Sequence, residues 1–415
     1  MLNLIWLYIV MNEILIPRPT YLDRLWNWRD SNLIKVVMGP RRCGKSFLLK
    51  MFRDRLLDTK VTNDQLLVYE LDRFENDRFL DPKVLHADIL SRRVAGKKSY
   101  VFIDEIQECQ GFEKMLSSLE HHDDLDIYVT GSNAYMLSGE LMTYMTGRYL
   151  ALEMLPLSFA EFRSAVEVDG LTPDEDFRRY LQIGSYPAVV PHRHDPTFIE
   201  PYYELLINSM LYKDVAQRFR IKDTRTLRNI VDVLTTSLGA SISTRRIKNT
   251  LKSVAGIDMH QQTLSNYLSA LVECYMFAQA KRFDVRGNAL LEGQEKFYLT
   301  DPGMRNRLIA TSVLDLGHLL ENVVFLELKR RYRQVVVGKV SDYEVDFVVK
   351  DGQQTSYFQV ALSVLDPTTL TRELRAFEDI QDKHPCYLLT LDRFGADSNH
   401  AGIQQLNVVD WLLAV

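Results

Sequence analysis

Cysteine is scarce. The 415 residues hold four, Cys43, Cys109, Cys274 and Cys386, and none forms a close pair with another. That spacing indicates neither a zinc site nor a disulfide framework, and the plain reading is a reducing, intracellular setting. Excess positive charge is also missing. The formal net charge is -5, so no global basic field advertises a nucleic-acid partner, although a local basic face stays open. Long apolar runs are absent too. The apolar opening, Met1 to Val10, is too short to span a bilayer. It lacks a basic leader and a small-residue cleavage site, so neither a signal peptide nor a membrane partner is expected. Either translation starts at Met11, or the stretch forms a short strand or an oligomer contact. What remains is ordinary: 46% hydrophobic and 25% charged residues describe a folded protein with ample core, expected in the cytoplasm. The length suggests about two to four domains.

One stretch stands out. Val36 to Lys50 contains Gly39-Pro40-Arg41-Arg42-Cys43-Gly44-Lys45-Ser46-Phe47, which fits G-x-x-x-x-G-K-[ST]. An apolar run, Leu33 to Met38, leads in, and a helical pattern, Phe47 to Leu57, leads out. That is the strand–loop–helix context a phosphate-binding loop needs. Backbone amides and the helix N-terminus meet phosphate charge. Residues Gly39 to Phe47 are therefore the expected nucleotide-binding set, with Lys45 reaching the β- and γ-phosphates of ATP and Ser46 ligating Mg²⁺. Upstream, Arg18 to Leu22 reads as a lead-in segment that either covers the base or packs against the domain edge.

A second signal lies at Ser99 to Gln107. Four apolar residues, Tyr100 to Ile103, run into Asp104 and Glu105. A continuous apolar strand suits a sheet covered on both faces, and paired acids at its end are costly without a cation or a function. Asp104 is expected at Mg²⁺ and Glu105 at the attacking water; the alternative is a capping pair for a helix near Phe112. The strand Leu66 to Asp72 places Asp72 at the phosphate edge or in a turn. The strand Leu125 to Thr130 is followed by Gly131-Ser132-Asn133, where Asn133, or secondarily Ser132, is expected to orient water; the alternative is an ordinary strand-end turn. Arg148 is either a charge donor to a neighbouring subunit's γ-phosphate, implying a homo-oligomer, or a surface ion pair. Alternating strands and helices predict an α/β sheet with ligand at its carboxyl edge.

These residues resemble the AAA+ ATPase superfamily, in particular a bacterial and archaeal branch that joins a divergent ATPase to a C-terminal nuclease-like domain. The resemblance rests on Gly39–Ser46, Val101–Gln107, Thr130–Asn133 and Gly147-Arg148. It implies that Glu105 supports hydrolysis and that Asn133 is the polar sensor. It also extends to Gly184-Ser185-Tyr186-Pro187, which is similar to a Gly-Gly-Tyr-Pro turn with Ser185 replacing one glycine, and to Tyr298–Met304.

Further along, Asp174 to Ile183 and Tyr202 to Arg220 read as lid helices. Helices at Leu227–Leu238, Ser243–Val254 and His260–Met276 precede strands at Phe277–Phe283 and Lys296–Leu299, with Gly287 and Gly293 in the turn. Three helices and a hairpin predict a winged helix. Thr263 and Asn266 would approach bases, and Arg245, Arg246, Lys281 and Arg282 would meet phosphates, if the partner is DNA; a protein partner is the alternative. The order helix (Leu314–Tyr332), three strands, helix (Thr369–Ile380), strand resembles the restriction-endonuclease-like fold. That likeness maps a metal pair onto Glu321 and Asp346, but its acid-x-lysine pair onto Gln359 and Ala361. An amide is a poorer ligand for a hard cation, and no lysine is there to steady phosphate charge, so cleavage is not expected.

The expected architecture is a P-loop core over 1–165, a helical lid over 166–222, a winged helix over 223–303 and a degenerate nuclease-like domain over 304–415. The expected activity is Mg²⁺-dependent ATP hydrolysis that rearranges the later modules. A nucleotide-switched binding module with little turnover and an ATP-dependent nuclease are the alternatives.

Overall fold

The computed structural model describes residues 15–134, 147–309, 316–352 and 354–414. The apolar opening, Met11 and Tyr144–Thr146 lie outside the described residues. Chain contacts define two compact units, Met1–Pro156 with Glu273–Tyr275, and Leu157–Val272 with Met276–Val415.

The first unit is built on β1 (Ile34–Met38), β2 (Leu66–Glu70), β3 (Ser99–Asp104), β4 (Leu125–Gly131) and β5 (Tyr149–Glu153). Their order is β2-β3-β4-β1-β5, and every pairing is parallel. Helices α1 (Pro19–Trp28), α2 (Lys45–Leu57), α3 (Pro82–Ser91) and α4 (Phe112–Leu119) accompany the sheet. Alternation along the strands feeds two cores. Ile34, Val36 and Met38 join Val101, Ile103, Ile127 and Val129 in one. Val37, Phe102 and Tyr128 join Leu48, Leu49 and Phe52 in the other. One residue breaks the apolar run of β1. Lys35 is fully buried and paired with Asp126 of β4. Asp126 also accepts from the Tyr128 hydroxyl at 2.8 Å and the Asp30 amide at 3.0 Å.

In the second unit, α5 (Phe159–Val166) and α6 (Pro173–Ile183) each start with a capping box, Ser158 with Glu161 and Thr172 with Glu175. The helix expected over Tyr202–Arg220 starts earlier, because Asp195 caps and Pro196 opens α7 (Pro196–Asn208). It then continues as a π-helical stretch, Ser209–Gln217. The Gly184-Ser185 turn meets Asp301: Ser185 N and Oγ donate to Asp301 Oδ2 at 2.5 and 2.7 Å. A Cβ at Gly184 would fall 1.8 Å from the Tyr203 hydroxyl. Thus Ser185 holds a buried carboxylate that a second glycine could bind only through its amide.

Helices α8 (Thr224–Thr236), α9 (Thr244–Ala255) and α10 (Gln261–Glu273) precede the hairpin of β6 (Phe277–Asp284) and β7 (Ala289–Leu299). Gly293 is not in the hairpin turn. It lies within β7 at φ 98°, where the register jumps from Lys281↔Glu295 to Arg282↔Leu291. That is a bulge, for which a left-handed glycine is suited. The hairpin is part of a larger sheet. With β8 (Gln334–Val340), β9 (Tyr343–Asp351), β10 (Gln354–Val360), β11 (Cys386–Thr390), β12 (Asn399–His400) and β13 (Ile403–Asn407), the order is β12-β13-β11-β10-β9-β8-β6-β7. So the boundary expected at 303/304 cuts a chain whose strands on both sides share one sheet: β6 pairs in parallel with β8. Helices α11 (Pro302–Leu308), α12 (Leu316–Arg331), α13 (Pro367–Glu378) and α14 (Val408–Leu413) complete this unit. The residues between α11 and α12, including the expected start at Leu314, are outside the described set.

Candidate functional site

The phosphate loop leaves β1 at the carboxyl edge of the parallel sheet, where ligands of open α/β sheets bind. Gly39 is there for space: a Cβ would fall 1.9 Å from the Met154 carbonyl oxygen. Gly44 takes φ 106° as the N-cap of α2, with no side-chain cap, so the first amides of the helix face outward for an anion. Cys43 is buried, and its thiol lies 3.5 Å from Met154 O. Pro40 is buried, Arg41 half-buried, and Arg42 and Phe47 exposed.

Lys45 is buried at the start of α2. Its Nζ donates to Gly39 O and Pro40 O, both at 3.1 Å, and lies 3.9 Å from Glu105 Oε1. The ammonium is thus held by two carbonyls of the loop itself, beside one carboxylate.

β3 runs in register beside β4 and delivers Asp104 and Glu105 to the same edge. Burial pushes the Asp104 carboxyl above its usual range, while hydrogen bonds from Ser46 and Thr130 oppose that rise. A buried carboxylate joined to a helix-start hydroxyl suits a hard cation with oxygen ligands, so Ser46 and Asp104 fit Mg²⁺. Glu105 has a left-handed backbone, φ 54°. Its amide donates to Thr130 Oγ1 at 2.9 Å, and the Thr130 hydroxyl in turn donates to Asp104 Oδ1. The Glu105 carboxylate accepts from the Gln107 side chain.

Two contributors have roles that the sequence did not assign. Thr130 is one, since only pairing of β3 with β4 brings it to the two acids. Its one signal was being polar at the end of an apolar strand. The other is Arg18. It is buried, with Nη1 donating to Cys43 O at 3.1 Å and Nη2 to Leu155 O at 2.7 Å. It therefore clamps the backbone of the phosphate loop, and Arg18–Leu22 packs rather than simply flanking. Asn133 is buried just beyond β4, and the neighbouring Ser132 hydroxyl is buried without a hydrogen-bond partner among the described residues. Arg148 Nη1 lies 3.3 Å from Glu120 Oε2. Asp72 is exposed in the turn after β2.

A family model described as an AAA domain matches residues 31–163, which hold this arrangement apart from Arg18. The chain belongs to the AAA+ ATPase superfamily. Beyond the AAA+ core, a domain of unknown function (DUF8612) matches residues 174–315. An uncharacterized protein of Haemophilus influenzae is 33% identical over 406 residues, covering 97% of this chain and 100% of that one, so the two proteins are of one family along nearly their full length. Uncharacterized protein MJ1544 of Methanocaldococcus jannaschii is 27% identical over 368 residues, 84% of this chain and 78% of that one. Among solved structures, the Walker-type ATPase PABY2304 of Pyrococcus abyssi matches with a TM-score of 0.49 at 13% identity, over 72% of this chain and 97% of that one.

The other sequence-predicted residues lie in the second unit. Arg245 and Arg246 are exposed at the start of α9, and Thr263 and Asn266 are exposed on α10. Lys281 is exposed on β6; Arg282 is half-buried and donates to Gln294. Glu321, Asp346 and Gln359 come together on α12, β9 and β10; Ala361 follows the end of β10. None of the described helices is long and apolar enough to cross a membrane.

Proposed function

We propose that this AAA+ protein binds and hydrolyses ATP with Mg²⁺, and that turnover rearranges its winged-helix and C-terminal sheet module on a partner. The observation that carries the reading is the Asp104–Thr130–Glu105 linkage beside Lys45. One hydroxyl of β4 donates to the Asp104 carboxylate and accepts from the Glu105 amide at the mouth of the phosphate loop.

Gly39 to Phe47 wrap the triphosphate with backbone amides, and Lys45 exchanges its two loop carbonyls for phosphate oxygens. Ser46 and Asp104 hold the metal. Mg²⁺, when bound, neutralises charge that develops on the phosphate oxygens. Glu105 takes a proton from the attacking water, and its fixed backbone keeps that carboxylate pointed at the site. Asn133 orients the same water. Arg148 serves a neighbouring subunit in a homo-oligomer, leaving Glu120 to do so.

Steady-state phosphate release tests this. Lys45→Ala and Glu105→Gln should each lower turnover by about 100-fold or more, as loss of a charge-stabilising or proton-accepting group does. Turnover equal to wild type in both would sink the reading.

For the partner, DNA is favoured by the exposed polar and basic residues of α9 and α10. In that reading Thr263 and Asn266 approach bases, and Arg245, Arg246, Lys281 and Arg282 meet phosphates. An Arg245→Ala/Arg246→Ala chain should bind duplex DNA more weakly and with a shallower salt dependence. Salt-independent retention of binding would point to a protein partner instead.

A further inference from the structure

The resemblance of the last domain implies a divalent cation between Glu321 and Asp346. The residues present do not fit one. Lys296 of β7 is buried with its ammonium inside the cluster. Its Nζ lies 2.8 Å from Glu321 Oε1, 2.7 Å from Glu344 Oε1 and 3.7 Å from Asp346 Oδ1. The carboxylates are engaged elsewhere as well. Tyr298 OH donates to Glu321 Oε1 at 2.6 Å, Ser241 Oγ to Glu344 Oε2 at 3.0 Å, and Val360 N to Asp346 Oδ2 at 2.9 Å. The Gln359 amide, at the place of a third ligand, is committed too. Its Oε1 accepts from Asp346 N at 3.2 Å, and its Nε2 donates to Glu373 Oε2 at 2.8 Å.

A hard divalent cation needs several oxygen lone pairs converging on one open centre. Here a nitrogen occupies the point on which the carboxylates converge. Among the described residues no group of three or more His, Cys, Asp or Glu side chains is disposed to hold a metal. Nor is the lysine poised to lose its charge. Burial disfavours its ammonium, but the charges of Glu321, Asp346 and Glu344 outweigh burial and hold its pKa above the ordinary lysine value. A buried cation with three acidic neighbours is costly to withdraw, because withdrawal leaves those acids unpaired.

We propose that Lys296 is the resident cation of this cluster: its ammonium stands where a divalent metal would, closing the domain to metal-dependent phosphodiester cleavage and leaving a latent metal site that opens when the lysine is removed. This inference is independent of the ATPase reading, since it concerns only residues of the second unit.

Titration of Mn²⁺ into the full-length, nucleotide-free chain, followed by calorimetry, tests it. Wild type and Asp346→Asn should give the same heats, with any shared signal coming from elsewhere in the chain. Lys296→Met should gain one additional site, at least ~10-fold tighter than any further binding by wild type. Lys296→Met/Asp346→Asn should lose that site again. An Mn²⁺ site in the wild-type chain that disappears in Asp346→Asn would overturn the proposal. So would a folded Lys296→Met chain that gains none, or Mn²⁺-dependent cutting of labelled DNA by wild type that Asp346→Asn abolishes. If Lys296→Met does not fold, the wild-type and Asp346→Asn titrations still decide the matter.

Discussion

Lys45 and Lys296 are both buried, and they are held in opposite ways. Lys45 rests on two backbone carbonyls at 3.1 Å, with Glu105 Oε1 3.9 Å away. Lys296 is gripped by carboxylates at 2.7 and 2.8 Å, with a third at 3.7 Å. Carbonyls are neutral and can be exchanged for phosphate at little electrostatic cost. Carboxylates cannot be abandoned in a buried place without large cost. The first lysine is therefore available to a ligand, and the second is part of the structure. Similar residue types give a binding site in one unit and a closed cluster in the other. The difference lies in whether the counter-charge is built in or has to arrive.

The sharpest way to break this contrast is to neutralise each lysine. Lys296→Met should destabilise the second unit by about 3–5 kcal/mol, the cost of leaving a buried ionic cluster without its partner. Lys45→Met should cost less, about 1–2 kcal/mol, because it leaves neutral carbonyls rather than a set of carboxylates without their partner. Urea unfolding of the two variants checks both, and equal losses would erase the distinction.

Next in size is the linkage at the nucleotide site. Thr130→Val removes the hydroxyl that joins Asp104 to the Glu105 amide. Turnover should fall by roughly 10-fold, with the KM for ATP changed much less, because a misplaced Glu105 affects the chemical step rather than binding. Thr130→Ser should restore most of the rate. A KM effect with unchanged kcat would mean that Thr130 only shapes the loop.

The acids of the closed cluster have their own pH signature. Burial, with the charge of Glu321, pushes the Asp346 carboxyl above its usual range, although Lys296 opposes the rise. The folded chain therefore holds this proton to higher pH than the unfolded chain, which releases it near the ordinary carboxylate value of about 3.9. The folded state binds more protons across that window, so this group lowers stability as pH rises above the ordinary carboxylate value toward the raised one. Asp346→Asn should flatten the decline, by at most about 1.4 kcal/mol per pH unit. A parallel pH profile in the variant would show Asp346 to be ionised throughout.

The smallest effect on stability belongs to Arg148→Ala. Its pair with Glu120 is partly exposed, and its loss should cost under about 1 kcal/mol. Turnover should nevertheless fall at protein concentrations where the chain self-associates. Measuring rate against concentration for wild type and variant checks this, and identical curves would leave Arg148 as a surface ion pair.

Some of this was legible before any coordinates. The phosphate loop and the Tyr100–Glu105 strand declare themselves because their chemistry is local: a glycine that admits a close backbone, a lysine at the start of a helix, acids at the end of an apolar run. The elements of the last sheet up to β11 were legible for the same reason, as alternation and turn residues act over a few positions. Lys35 was read as part of an apolar run, since nothing near it in sequence announces Asp126 across the sheet. Thr130 escaped notice because its role exists only once β3 and β4 pair. Gly293 was placed in a turn because sequence cannot distinguish a turn glycine from a bulge glycine a few residues on.

The chain's own sequence determined a glycine-rich loop between a strand and a helix of an α/β sheet, with a serine hydroxyl and two acids expected beside it. It also showed that Gln359 and Ala361 stand where a nuclease-like site would have an acid and a lysine. Only the tertiary structure decided what that gap means. A lysine from β7, distant in sequence from β10, meets Glu321, Glu344 and Asp346. Strand order brings such charges together, and strand order is set by packing over the whole sheet rather than by the residues beside each charge.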